Sequence, residues 1–194
     1  MTRIYFVRHA EPDRKWNDDR TKPLSDGGLV DRMTIIEKLE NKNIQMVFSS
    51  PYKRSYDTIE PVAKKIGLEI VTDERFRERK PGKEGNNIEL FKKLWSDFSH
   101  CEEEGESIGE VQNRNIEALK EVLDIGKDNN IIIGTHGTAL STILNYYDSN
   151  FGFDEFLRII NFMPYMVRLE FNENGFLGME EEYYMEKEYK VIAQ

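Results

Sequence analysis

The chain has 194 residues, with 36 acidic against 27 basic side chains and a formal net charge of −9. That acidity argues against nucleic acid or an anionic membrane as the main partner, and no run of about 18 apolar residues offers a membrane span. The single cysteine, Cys101, excludes an internal disulfide, and the chain enters a strand pattern without a signal-like segment, so a cytoplasmic protein is the default expectation.

The length suits one domain over 1–194, with a substantial core. Residues 3–8 are apolar and β-prone and end abruptly in Arg8-His9, the pattern of a buried strand in a parallel sheet. A polar loop follows, then Pro23-Leu24-Ser25-Asp26-Gly27-Gly28 leads into a helix whose apolar face is Leu29, Met33, Ile36 and Leu39. Met46-Val47-Phe48 is a short second strand. Ser50-Pro51 has the form of an N-cap followed by proline at the first helical position, and Pro61 is expected to kink or split the helix that ends at Gly67.

Leu68 to Val71 forms a third strand. From Arg79 to Gly109 the alternating rhythm stops, apart from a short amphipathic helix through Ile88, Phe91, Leu94, Trp95 and Phe98. We read 79–109 as a lid-like insertion or substrate wall over one end of the sheet. Ser107 and Glu110 are spaced as a capping box for a helix to Leu123. Asn130 to Gly134 is the most hydrophobic strand, which places it centrally. Helices over Thr138–Tyr147 and Asp154–Ile160 follow. Tyr165–Phe171 then alternates as a strand, with an antiparallel return after Asn172-Glu173-Asn174-Gly175. Strands alternating with helices predict a three-layer α/β/α sandwich around a mostly parallel central sheet.

Right-handed crossovers put three strand ends on one sheet edge: Arg8-His9, Ser49-Ser50-Pro51-Tyr52-Lys53-Arg54, and Gly134-Thr135-His136-Gly137-Thr138. Two of the chain's three histidines are there, beside two arginines and helix N-termini suited to an oxyanion. Further basic residues cluster at 14–22 and 75–83. On an acidic protein this local positive potential suits a small anionic substrate.

These motifs, together with Glu78, Pro23-Leu24-Ser25 with Gly28, and Gly105-Glu106-Ser107 with Arg114, resemble the histidine phosphatase superfamily, the phosphoglycerate-mutase-like enzymes. The resemblance implies that His9 is the nucleophile that becomes phosphorylated. It further implies that Arg8, Arg54 and His136 bind the phosphoryl oxygens, with Gly137 and Asn17 in the substrate pocket, and that Glu78 is the proton donor. Glu74 and Glu84 stand nearby as other carboxylates for that role. Ser49, Ser50 and Ser107 read as helix caps, and Arg114 as an ion-pair partner.

Ala10 replaces the family's usual glycine, Pro12 stands where mutases tend to have Ser or Thr, and Trp16-Asn17 lies two residues late. The expected activity is hydrolysis of a small phosphorylated metabolite with no cofactor and no metal, since no clustered ligand motif is present. The alternatives are a phosphoglycerate mutase, a phosphoprotein phosphatase, or a non-catalytic phosphate-binding protein on the same fold.

Overall fold

The computed structural model describes residues 1–188. Strands β1 (Thr2–Arg8), β2 (Ile44–Ser49), β3 (Ile70–Thr72), β4 (Asn130–Thr135), β5 (Phe162–Asn172) and β6 (Gly175–Glu186) form one six-stranded sheet in the order β3-β2-β4-β1-β5-β6. The first four run parallel, and β5 and β6 turn antiparallel at one side. As its apolar run predicts, β4 lies between β2 and β1, buried along almost its whole length.

Helices cover both faces, and strand alternation assigns the side chains to them. Tyr5, Val7 and Ile132 face α2 (Met33–Leu39) and α3 (Lys53–Ile66), packing on Ile35, Leu39, Ile59 and Val62. Ile4, Phe6, Ile131 and Ile133 face the opposite way, onto Leu119 and Val122 of α5 (Ile108–Ile125) and Leu140 and Ile143 of α6 (Gly137–Tyr147). The expected three layers result. A smaller cluster joins Leu90, Phe91, Leu94 and Trp95 of α4 (Ile88–Ser96) to Ile108 and to Phe156 of α7 (Phe153–Ile159). The capping box at Ser107 and Glu110 is formed as the spacing predicts. Among the described residues no helix is long and apolar enough to cross a membrane.

Register positions the chemistry. Arg8 is level with Thr135, and Ser49 is level with both Gly134 and Thr72, so the carboxyl ends of four parallel strands finish together. His9, Ser50, Asp73 and His136 therefore leave the sheet along one edge, where open α/β sheets hold their ligands.

Three local expectations need correction. The helix after Ser25 is two helices, α1 (Asp26–Asp31) and α2, because the chain steps at Arg32. That step moves the buried stripe to Ile35 and Leu39, leaving Leu29 41% and Met33 49% exposed. Helix α3 begins at Lys53 with Tyr52 at its N-cap, so neither Ser49 nor Ser50 caps it. Nor does Pro61 split α3, which runs unbroken from Lys53 to Ile66.

Proline lacks the N–H that would bond the carbonyl four residues earlier. Here that carbonyl, of Asp57, accepts a hydrogen bond from Arg32 Nη1 at 2.7 Å instead. Arg32→Ala should therefore lower the unfolding free energy in urea by about 1–2 kcal/mol. Adding Pro61→Ala should recover much of the loss, because residue 61 would then donate to Asp57 within the helix. Equal losses in the single and double variants would contradict this account.

Candidate active site

His9 follows the last residue of β1 and is almost wholly buried. Its Nδ1 lies 2.7 Å from the Ala10 carbonyl oxygen, which can only accept, so Nδ1 carries the proton. Nε2 is left as the lone-pair nitrogen, and Arg54 Nε donates to it at 3.3 Å. Burial first, then the Arg54 and Arg8 guanidinium groups, holds the His9 imidazole well below its ordinary pKa. The ring is a neutral imidazole with one nitrogen fixed and the other directed at a cation. An unprotonated imidazole nitrogen of this kind has the chemistry to act as a nucleophile.

The loop that holds this ring is closely fitted. Ala10 N donates to Thr58 Oγ1 at 2.9 Å, and Thr58 in turn donates to the Arg54 carbonyl. Ser25, the N-cap of α1, donates its backbone N–H to the Glu11 carbonyl at 2.9 Å. A Cβ on Gly28 would lie 2.2 Å from that same Glu11 oxygen, so only glycine lets α1 approach so closely.

His136 packs edge-on against His9, with ring centroids 5.3 Å apart, and is fully buried. Its Nε2 bonds Ser50 Oγ at 2.7 Å, while Nδ1 is buried without a protein partner. Burial, followed by Arg54 and His9, lowers its pKa as well. Ser50, expected to be a cap, instead orients this imidazole, a role that only the flush ends of β2 and β4 reveal.

Glu78 follows β3 and reaches the N-terminus of α6. Its Oε2 accepts from Thr138 N at 3.1 Å, and its Oε1 accepts from Ala139 N at 3.1 Å and Arg79 N at 2.8 Å. The segment beneath it is clamped by Arg114, which donates to the carbonyls of Arg75, Arg77 and Glu78. Arg114 also pairs with Glu106, as the sequence suggested. Burial by itself pushes the Glu106 carboxyl up, but hydrogen bonds from Arg77 and Arg114 hold it down at about 2.

Arg8, His9, Asn17, Arg54 and Glu78 line one pocket of about 490 Å³, joined by Arg14, Asp19, Lys22, Arg79 and Asn86. Gly137 lines an adjoining slot with Arg8, Glu78, Phe91 and Phe156. Of the three candidate acids, Glu78 is in the pocket wall, whereas Glu74 is exposed and paired with Arg20, and Glu84 is exposed. The terminal nitrogens of Arg8 donate to the carbonyls of Ile159 (2.6 Å) and Ile160 (3.0 Å) at the end of α7, which fixes the guanidinium plane. The segment from 79 to 109 is held by a buried pair, Arg79 with Glu102.

Asp19 and Asn86 carry no signal in the sequence because each stands in a polar stretch without periodicity, and Arg79 stands out there only as one member of the basic cluster at 75–83. Among the described residues no cluster of three or more His, Cys, Asp or Glu is placed to hold a metal ion.

The two neutral histidines set a pH dependence of stability. Their folded pKa values are lowered, so the unfolded chain takes up protons first as pH falls below about 6.5. Stability is fully present above that value and is lost as pH falls toward the lowered folded values, by about 1.4 kcal/mol per pH unit for each histidine. Urea denaturation should show little change from pH 7.5 to about 6.5 and this slope as pH falls from there to 5.0, and His9→Asn should reduce it by about half. The same slope in the variant would contradict a buried neutral His9.

Known proteins resemble this chain in sequence and in fold. The model of the histidine phosphatase superfamily, branch 1, matches residues 4–179. Phosphoglycerate mutase-like protein 4 of Arabidopsis thaliana is 30% identical over 159 residues, covering 72% of this chain and 68% of that protein. Among solved structures, Bacillus stearothermophilus YhfR superposes with a TM-score of 0.75 at 23% identity, covering 91% of this chain and 95% of that one. The phosphoserine phosphatase of Entamoeba histolytica, solved with 3-phosphoglyceric acid, gives 0.75 at 16% identity, covering 97% and 98%. At these identities the two structures attest the fold alone. The family match and the relative settle the family: the chain belongs to branch 1 of the histidine phosphatase superfamily.

Proposed function

We propose that this protein is a phosphatase that hydrolyses a small phosphomonoester through a phosphohistidine on His9, without a metal. The observation that carries the reading is the buried, neutral His9 with Nδ1 bonded to Ala10 and Nε2 directed at Arg54. A pocket of about 490 Å³ fits a small ligand, and the excursion over 79–109 serves as its substrate wall.

In the first step the Nε2 lone pair forms a bond to phosphorus as the ester P–O bond breaks. The leaving oxygen takes a proton from Glu78. Oε2 is the oxygen assigned to carry that proton, because it accepts one backbone N–H where Oε1 accepts two. Arg8, Arg54 and His136 stabilise the charge on the equatorial oxygens, and a phosphoryl oxygen gives the buried His136 Nδ1 its partner. In the second step water attacks phosphorus, the N–P bond breaks, and the water proton returns to Glu78. His9 is regenerated neutral and inorganic phosphate is left in the pocket.

A mutase is the second reading, favoured by the name of the Arabidopsis relative. It differs in retaining the phosphoryl group on His9 until a second acceptor hydroxyl attacks. Conversion of 3-phosphoglycerate to its 2-isomer, dependent on a bisphosphorylated primer, would decide for it.

Glu78→Gln keeps the shape of the side chain and removes its proton. In single-turnover experiments with chelator present, phosphorylation of the enzyme by an alkyl phosphate should slow by roughly 10²–10⁴, and by an aryl phosphate with a good leaving group only slightly. Equal losses for both would make Glu78 a binding residue rather than an acid.

A further inference from the structure

Asp19 lies in the polar loop between Asn17 and Pro23, in the wall of the phosphoryl pocket. Its carboxylate lies on the end of the Arg54 guanidinium, with Oδ1 3.2 Å from Nη1 and Oδ2 accepting from Nη2 at 3.3 Å. The same Oδ1 pairs with Lys22 Nζ at 3.2 Å, and Lys22 is another cation of the pocket wall. One carboxylate thus offsets two of the charges that would hold a phosphate dianion.

That carboxylate is not needed to aim Arg54. Arg54 Nη1 also donates to the backbone carbonyl of Asp19, an acceptor that any residue at position 19 would supply. Arg54 Nε is directed at His9 Nε2, so the side-on edge of the guanidinium faces the nucleophile while Asp19 holds the end. What the Asp19 side chain adds is a negative charge beside the phosphoryl site. A phosphate dianion held by the same buried guanidinium would be repelled by that charge, with the repulsion damped by solvent because the Asp19 side chain is 43% exposed.

We propose that Asp19 is a product-release residue: its carboxylate weakens the hold of Arg54 and Lys22 on inorganic phosphate. This rests on the reading of Arg54 as a phosphoryl-binding residue. Its consequence bears on the kind of reaction performed. An enzyme that hydrolyses must let phosphate go after each turnover, whereas one that transfers a phosphoryl group between hydroxyls has no free phosphate to release. A carboxylate on the phosphate-gripping arginine favours the hydrolytic outcome.

The test is equilibrium binding of inorganic phosphate, by calorimetry on the whole protein without turnover. Asp19→Asn removes the charge and keeps the shape, and Asp19→Ser removes the contact as well. Both should bind phosphate about tenfold more tightly than the unaltered protein, with product release in the Asn variant slowed accordingly. Circular dichroism verifies the fold of each. Binding to the unaltered protein with unchanged or weaker affinity in both variants would make Asp19 a support for Arg54 and overturn this inference alone. No binding to any of the three proteins would overturn the phosphoryl-site reading, and this inference with it.

Discussion

The hydrogen bond from His9 Nδ1 to the Ala10 carbonyl is the interaction on which the rest of the site depends. It chooses the tautomer, and burial beside two guanidinium groups then keeps the second nitrogen unprotonated. An imidazole in water near neutral pH is partly protonated and rotates freely. Here it has a single orientation and a lone pair directed toward the Arg54 guanidinium. A neutral imidazole can lie among cations because they suppress its protonation without removing the lone pair.

Such an arrangement requires that residues far apart in sequence end at the same height. The sheet register provides this, bringing Arg8 level with Thr135 and Ser49 level with Gly134. Close packing then removes the remaining freedom. A Cβ on Gly134 would lie 2.7 Å from Ser49 Oγ, and one on Gly137 would press against the Arg8 guanidinium at 3.1 Å. Arg114 and Glu106 do for Glu78 what Ala10 and Thr58 do for His9, holding the backbone so that a carboxylate reaches the α6 amides. These supports let strongly charged groups share a small pocket in an acidic protein.

Much of this was legible in the sequence because strand ends and helix starts have local signatures. The apolar run before Arg8-His9, the run before Gly134 and the Ser107–Glu110 box each announce their structure within a few residues. Its place after β3 singles out Glu78 over Glu74 and Glu84, and of the three it is Glu78 that lines the pocket. Other features depend on contacts between distant segments and leave no such trace. Arg32 satisfying the Asp57 carbonyl, Ser50 turning from a cap into the partner of His136, and Asp19 lying on Arg54 all require the folded register. The exposed Leu29 and Met33 fail for a related reason: two short helices meet at Arg32, where periodicity alone would carry one buried stripe straight through.

The most direct test of the central claim is the chemical identity of the phosphorylated atom. Protein quenched in base during turnover of a phosphomonoester can be digested and its phosphopeptide assigned by mass spectrometry and by phosphorus and nitrogen NMR. The account predicts phosphorus on His9, bonded to Nε2, because Nδ1 is held by the Ala10 carbonyl. Phosphorus on Nδ1, on another residue, or in a base-labile acyl linkage would contradict it.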